Sequence, residues 1–129
     1  MKLLLDTHVL LWAVLEPQKL SHSQREALEN SGNQLLVSAA SAWEIATKWR
    51  LGKLNQAGAV VRNYRQVLDR LAANDLPISG DVARKAVLLQ VEHRDPFDRL
   101  LAAQTMAENL LLASSDPVFT TFPDLALLR

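Results

Sequence analysis

No cysteine occurs among the 129 residues, which excludes disulfides, thiolate zinc sites and cysteine nucleophiles together. That absence suits a reducing, cytoplasmic setting. There is no net charge either: fourteen basic residues balance fourteen acidic ones, so the total argues neither for nor against a nucleic-acid partner. No apolar run approaches the roughly 20 residues of a membrane helix. The leucine-rich start is interrupted by Asp6 and His8 and has no small-residue cleavage site after it, so it does not read as a signal peptide. Repeats and low-complexity segments are missing too. Hydrophobic residues make up 49% of the chain, enough for a layered core, and its length fits one domain spanning 1–129.

Short apolar runs alternate with helical patterns. Lys2 to Leu5, Leu35 to Ser38, Leu76 to Ser79, Leu110 to Ala113 and Leu125 to Leu128 read as strands. Helices are expected from Val9 to Val14, Ser23 to Asn30, Ala39 to Leu51, Gly58 to Leu71, Asp81 to Val91 and from Asp95-Pro96 to about Asn109. Strands separated by helices predict an α/β fold with a parallel sheet covered on both faces. Trp12, Trp43 and Trp49 read as packing residues, two of them in one amphipathic helix.

Right-handed crossovers place the carboxyl ends of all parallel strands on one edge of the sheet. Asp6 follows the first strand, Glu44 lies in the opening turns of the helix after the second, and Asp98 lies in the first turn of the helix leading into Leu110 to Ala113. Asp116 falls just past that strand, so topology brings the four acids to one rim. Each also has a structural explanation. Asp6, Asp95 and Asp116 suit helix N-caps, Asp98 suits an acid near the positive end of its helix, and Glu44 with Lys48 makes an i,i+4 pair. On a helical wheel Glu44 points away from the face of Ala42, Ile45, Ala46 and Trp49.

Gathered together, however, carboxylates cannot all stay ionised without a positive charge among them. A hard divalent cation, Mg²⁺ or Mn²⁺, answers that need with oxygen ligands. Such an ion lowers the pKa of water and neutralises charge on a phosphate, which points to phosphodiester hydrolysis. His8, His22 and His93 show no zinc-ligand spacing and read as surface or local-packing residues. Between Lys48 and Arg70 the bases Arg50, Lys53, Arg62 and Arg65 meet a single acid, Asp69. That stretch is either a solvated helical face or a phosphate-attracting surface, with Lys48, Arg50 and Lys53 as candidate RNA contacts.

Four stretches, LLLDTHVLLWAV, SAASAWEIATKWRLGKL, HRDPFDRLLAAQ and LLASSDPVF, lie in the order found in PIN-domain proteins. The chain resembles that family, and within it the VapC toxins of toxin–antitoxin pairs. The resemblance implies a three-layer α/β/α sandwich, a Mg²⁺- or Mn²⁺-dependent endoribonuclease acting on transfer or ribosomal RNA, a VapB-like antitoxin and a homodimer. It also implies 5′-phosphate and 3′-hydroxyl products. Its acidic site falls on Asp6, Glu44, Asp98 and Asp116; Ser114 stands where a hydroxyl orients the acids, and Thr7 and Asp95 border the site. One rival is a non-catalytic RNA- or protein-binding module whose acids are caps. A second is an aspartyl-phosphate enzyme, but His8 stands where a dehalogenase-type phosphatase needs a second aspartate. A receiver domain is a poor match as well: it needs paired acids near the start and a late lysine.

Overall fold

The computed structural model describes residues 1–129. Five strands, β1 (Lys2–Leu5), β2 (Gln34–Ser38), β3 (Ala73–Leu76), β4 (Leu111–Ala113) and β5 (Leu127–Leu128), form one sheet in the order β3-β2-β1-β4-β5. Every pairing is parallel. The helices are α1 (Thr7–Leu15), α2 (His22–Glu29), α3 (Ala39–Arg50), α4 (Gly58–Arg62), α5 (Tyr64–Leu71), α6 (Gly80–Leu88) and α7 (Pro96–Ala107). Short 3₁₀ turns cover Pro17–Lys19, Asn55–Ala57 and Pro117–Thr121.

Strand periodicity explains the layers. Leu3 and Leu5 of β1, Leu35 and Val37 of β2 and Ala113 of β4 join one cluster with Val9, Leu10, Ala27, Ile45, Val60 and Leu68. Their alternates Leu4, Leu36 and Leu112 turn to the other face, against Leu101, Ala102, Phe119 and Phe122. Successive side chains of a strand point to opposite faces, so a sheet buried on both sides needs continuous apolar runs. Leu3, Leu4 and Leu5 are all 0% exposed. The expected α/β/α sandwich with a central parallel sheet is the fold observed.

Two segments differ most from the sequence-based expectation, while the helix expected from Asp81 to Val91 ends at Leu88 and the last strand is only Leu127–Leu128. The third strand is Ala73–Leu76, not Leu76 to Ser79, and Ser79 instead caps α6 by accepting from the Val82 amide. Asn74 and Asp75 are tolerated in it because β3 is an edge strand, and Asp75 accepts from Tyr64 and Arg65 of α5. The helix expected over Gly58 to Leu71 divides at Asn63, whose backbone (φ −119°, ψ 37°) leaves the helical region. Gly52 does end α3 as anticipated, in a left-handed conformation (φ 76°) that glycine adopts freely.

The topology fixes where a site can form. From β1 the chain winds outward through β2 and β3, then returns to place β4 on the other side of β1. The order therefore reverses between β1 and β4, and a crevice opens at their carboxyl ends.

Candidate active site

Asp6 and Ser114 face each other across that crevice. Both are buried, and Ser114 Oγ donates to Asp6 Oδ2 at 2.5 Å. The other Asp6 oxygen caps α1 by accepting from the His8 amide at 3.3 Å. Ser114 Oγ also accepts from the Asp116 amide at 3.1 Å, and Asp116 in turn caps the following 3₁₀ turn through the Val118 amide. Asp95 caps α7, accepting from the amides of Phe97 and Asp98. Capping and convergence are thus the same arrangement: N-cap residues sit where helices begin, and these helices begin at one rim.

Glu44 departs from the helical-wheel expectation of a solvated side chain. It is 5% exposed. Thr7 Oγ1 donates to its Oε1 at 2.8 Å and lies 2.9 Å from Ser41 Oγ, while Lys48 Nζ reaches its Oε2 at 2.6 Å. The face of α3 carrying Glu44 packs toward α1 and α7 rather than into water. Thr7 therefore supports Glu44, and Lys48 turns inward to the acids. Arg50 and Lys53 are exposed.

Electrostatics ties the acids together. Burial pushes the Asp98 carboxyl up to about 6; its hydrogen bond to His93 opposes this, and the negative charges of Asp95 and Asp6 add to it. Burial likewise raises Asp6, partly offset by the Ser114 hydrogen bond, with the Asp116 charge raising it further. Burial pulls the Lys48 ammonium down, but Glu44, Asp95 and Asp98 hold it above its ordinary value. Carboxylates from three separate segments feel one another here, and Lys48 links Glu44 to them.

Sequence reasoning missed His93. Its Nε2 lies 2.7 Å from Asp98 Oδ2, and its ring meets the edge of Phe122 at 6.1 Å. One donor atom each from His93, Asp95 and Asp98 falls within 4.8 Å of the others. No local signal marks His93, because its partner lies across a loop and not one helical turn away. Trp43, expected to pack, is 69% exposed. It occupies the solvent side of α3, since the opposite side is taken up by Ile45 and Glu44. Trp49 does pack, with the Arg62 guanidinium 5.8 Å from its ring centroid.

The PIN domain family model matches residues 3–125. The chain belongs to the PIN domain family. Ribonuclease VapC22 of Mycobacterium tuberculosis is 32% identical to it over 114 residues, spanning 88% of this chain and 85% of that protein. The VapBC2 structure from Rickettsia felis, bound to a promoter DNA fragment, superposes with a TM-score of 0.71 at 20% identity, over 99% of this chain and 98% of that one. VapBC-1 from nontypeable Haemophilus influenzae gives 0.69 at 19% identity, over 100% and 98% of the two chains. These structural likenesses speak for the PIN fold.

The PIN acids make a pH prediction. A carboxyl whose folded pKa is raised binds its proton more tightly in the folded than in the unfolded chain. Asp98 therefore reduces stability as pH rises from the ordinary carboxylate value of 3.8 through about 6, and Asp6, also raised, acts in the same direction. Asp81, lowered by Arg84 and Lys85, acts below that window. Melts of the metal-free PIN domain are expected to show Tm falling between about pH 4 and about pH 6. A Tm that rises across this interval contradicts the assignment.

Proposed function

We propose that this protein is a divalent-metal-dependent endoribonuclease, the toxin of a toxin–antitoxin pair, built as one PIN domain over residues 1–129. The observation that carries the reading is the gathering of acids at the sheet's switch point, where Ser114 joins Asp6 to the Asp116 backbone and Asp95, Asp98 and His93 stand within 4.8 Å of one another. Similarity to Ribonuclease VapC22 supports the activity, and the VapBC neighbours support a VapB-like partner; a homodimer completes the reading.

The donor set fits Mg²⁺ or Mn²⁺. Asp6, Glu44, Asp98 and Asp116 offer carboxylate oxygens, with Asp95 and His93 beside them and the Lys48 ammonium among them. These acids would hold the ion, which when bound supplies Lewis-acid activation of water and neutralises charge building on the phosphate. Ser114 fixes the Asp6 carboxylate, Thr7 and Lys48 fix Glu44, and His93 fixes Asp98, so the acids are oriented before substrate arrives. Arg50 and Lys53, exposed at the end of α3 and just beyond it, are placed to meet the RNA backbone. In the hydrolysis, water oxygen bonds to phosphorus as the bond to the 3′ oxygen breaks. The proton passes to that oxygen, leaving a 5′-phosphate and a 3′-hydroxyl.

Purified protein with total RNA is expected to generate discrete 5′-monophosphate ends with Mn²⁺ or Mg²⁺, and none once a chelator removes the ion. A second reading draws on the cap hydrogen bonds of Asp6, Asp95 and Asp116, which also suit a non-catalytic RNA- or protein-binding module. On that reading chelation changes neither cleavage nor melting temperature.

A further inference from the structure

Arg99 follows Asp98 directly, and from the sequence it could be a phosphate contact or a partner for the neighbouring acids. It is neither: no carboxylate in the chain forms an ion pair with it. Its Nε donates to the Ala86 carbonyl at 2.9 Å. Nη1 donates to Val91 at 3.1 Å and His93 at 2.8 Å, and Nη2 to Val87 at 2.9 Å and Leu89 at 2.7 Å. A guanidinium has five N–H donors, and each of these has a backbone carbonyl. None is left for a phosphate.

Those carbonyls belong to the end of α6 and the loop that follows. The last carbonyls of a helix lack intrahelical donors, and a cation there is also favoured by the helix dipole. Leu89, the residue capping α6, makes no backbone cap bond of its own. Arg99 supplies the missing donors, and then continues along the loop to the carbonyl of His93, from which the imidazole extends to Asp98. The planar fork thus joins α7 to the loop at both ends of one short span.

We propose that Arg99 is a positioning residue for the acid site, clamping the carbonyls of residues 86–93 so that His93 is seated against Asp98. This rests on the nuclease reading for its consequence, though the clamp itself does not. A lysine keeps the charge but offers a compact ammonium with three donors, which cannot span five carbonyls.

The test uses full-length Arg99→Lys, with Arg99→Ala, His93→Gln and the Arg99→Lys/His93→Gln double variant beside it. Circular dichroism first confirms that the lysine variant is folded. In metal-free protein the Val91 amide, bonded to the Leu89 carbonyl, reports on the loop. Its exchange is expected to quicken at least about tenfold in Arg99→Lys, while core amides of β1 hold their protection. The His93 ring resonances are expected to shift. With Mn²⁺ and an RNA substrate, kcat is expected to fall by about tenfold or more with KM within about twofold. Adding Arg99→Lys to His93→Gln is expected to lower kcat no further.

Unchanged Val91 exchange and unchanged His93 resonances in Arg99→Lys would overturn the proposal. So would full kcat in that variant, which makes charge alone sufficient, or a loss confined to KM with the loop protected, which makes Arg99 a phosphate contact. If the wild-type protein cleaves nothing with Mn²⁺, the nuclease reading fails separately. Loop exchange and His93 resonances in metal-free protein still decide whether Arg99 seats the histidine.

Discussion

Asparagine in place of Asp6 is expected to abolish metal-dependent RNA cleavage, a fall of at least about a hundredfold in kcat/KM. The same substitution is expected to raise the metal-free melting temperature near neutral pH. Both effects follow from one fact. Asp6 is 4% exposed, and burial together with the Asp116 charge makes its ionised form unfavourable in the absence of a cation. The amide is close to the carboxylate in shape. Its oxygen can still accept from the His8 amide, and its NH₂ can donate to Ser114 Oγ, so the crevice keeps its geometry while losing a charge. The gain in stability is expected to shrink on acidification, where Asp6 in the wild type is protonated anyway. Asp98→Asn is expected to behave in parallel, its gain fading below about 6, the value to which its carboxyl is pushed. Cleavage assays with Mn²⁺ and calorimetric melts without metal measure the two halves. Full cleavage by either variant would remove the mechanism, whatever the melts show.

The largest expected effect on stability comes from Leu4→Ala. Leu4 is 0% exposed in the middle strand of the sheet, within the cluster of Leu36, Leu101, Leu112 and Phe119. Truncating a buried leucine removes its transfer energy and leaves a cavity, at a cost of about 2–5 kcal/mol. Native domains are stable by only about 5–15 kcal/mol, so this is a large share of the total. Asp6 follows two residues later on the same strand end, and any relaxation of β1 into the void shifts its carboxylate. Denaturant titration is expected to show the midpoint reduced with an unchanged slope, and Mn²⁺ binding is expected to weaken. A loss below about 1 kcal/mol would mean that the site collapses around alanine with little strain.

Much of the fold was legible because it depends on near neighbours. The runs at Lys2 to Leu5 and Leu35 to Ser38 are apolar on both alternating faces, which a doubly covered parallel strand requires. Asp95-Pro96 and Asp116-Pro117 announced turns of helix that start there. The third strand was less legible, since Asn74 and Asp75 interrupt its apolar pattern and only their place on the sheet edge makes them acceptable. The break at Asn63 was invisible for a similar reason: arginines and apolar residues continue a helical rhythm straight through it.

The candidate site divides along the same line. Asp6, Asp98 and Asp116 could be placed at one rim because strand order and handedness put them there. Glu44 could not be recognised as buried, nor Trp43 as exposed, because a helical wheel shows how side chains are arranged around α3 but not which neighbours cover each side. His93 and Arg99 carried no sequence signal of their roles: one is seated against a carboxylate across a loop, the other bonded to the backbone of a different helix and the loop after it.

By itself, then, the amino-acid order determined the parallel sheet, its helical cover and the edge at which acids gather, since periodicity and capping are properties of short stretches. Tertiary structure alone decided which polar groups are enclosed, which carboxylates repel one another and what the Arg99 donors meet. Burial and charge coupling depend on what packs across a gap, and that distance in space is not written in distance along the chain.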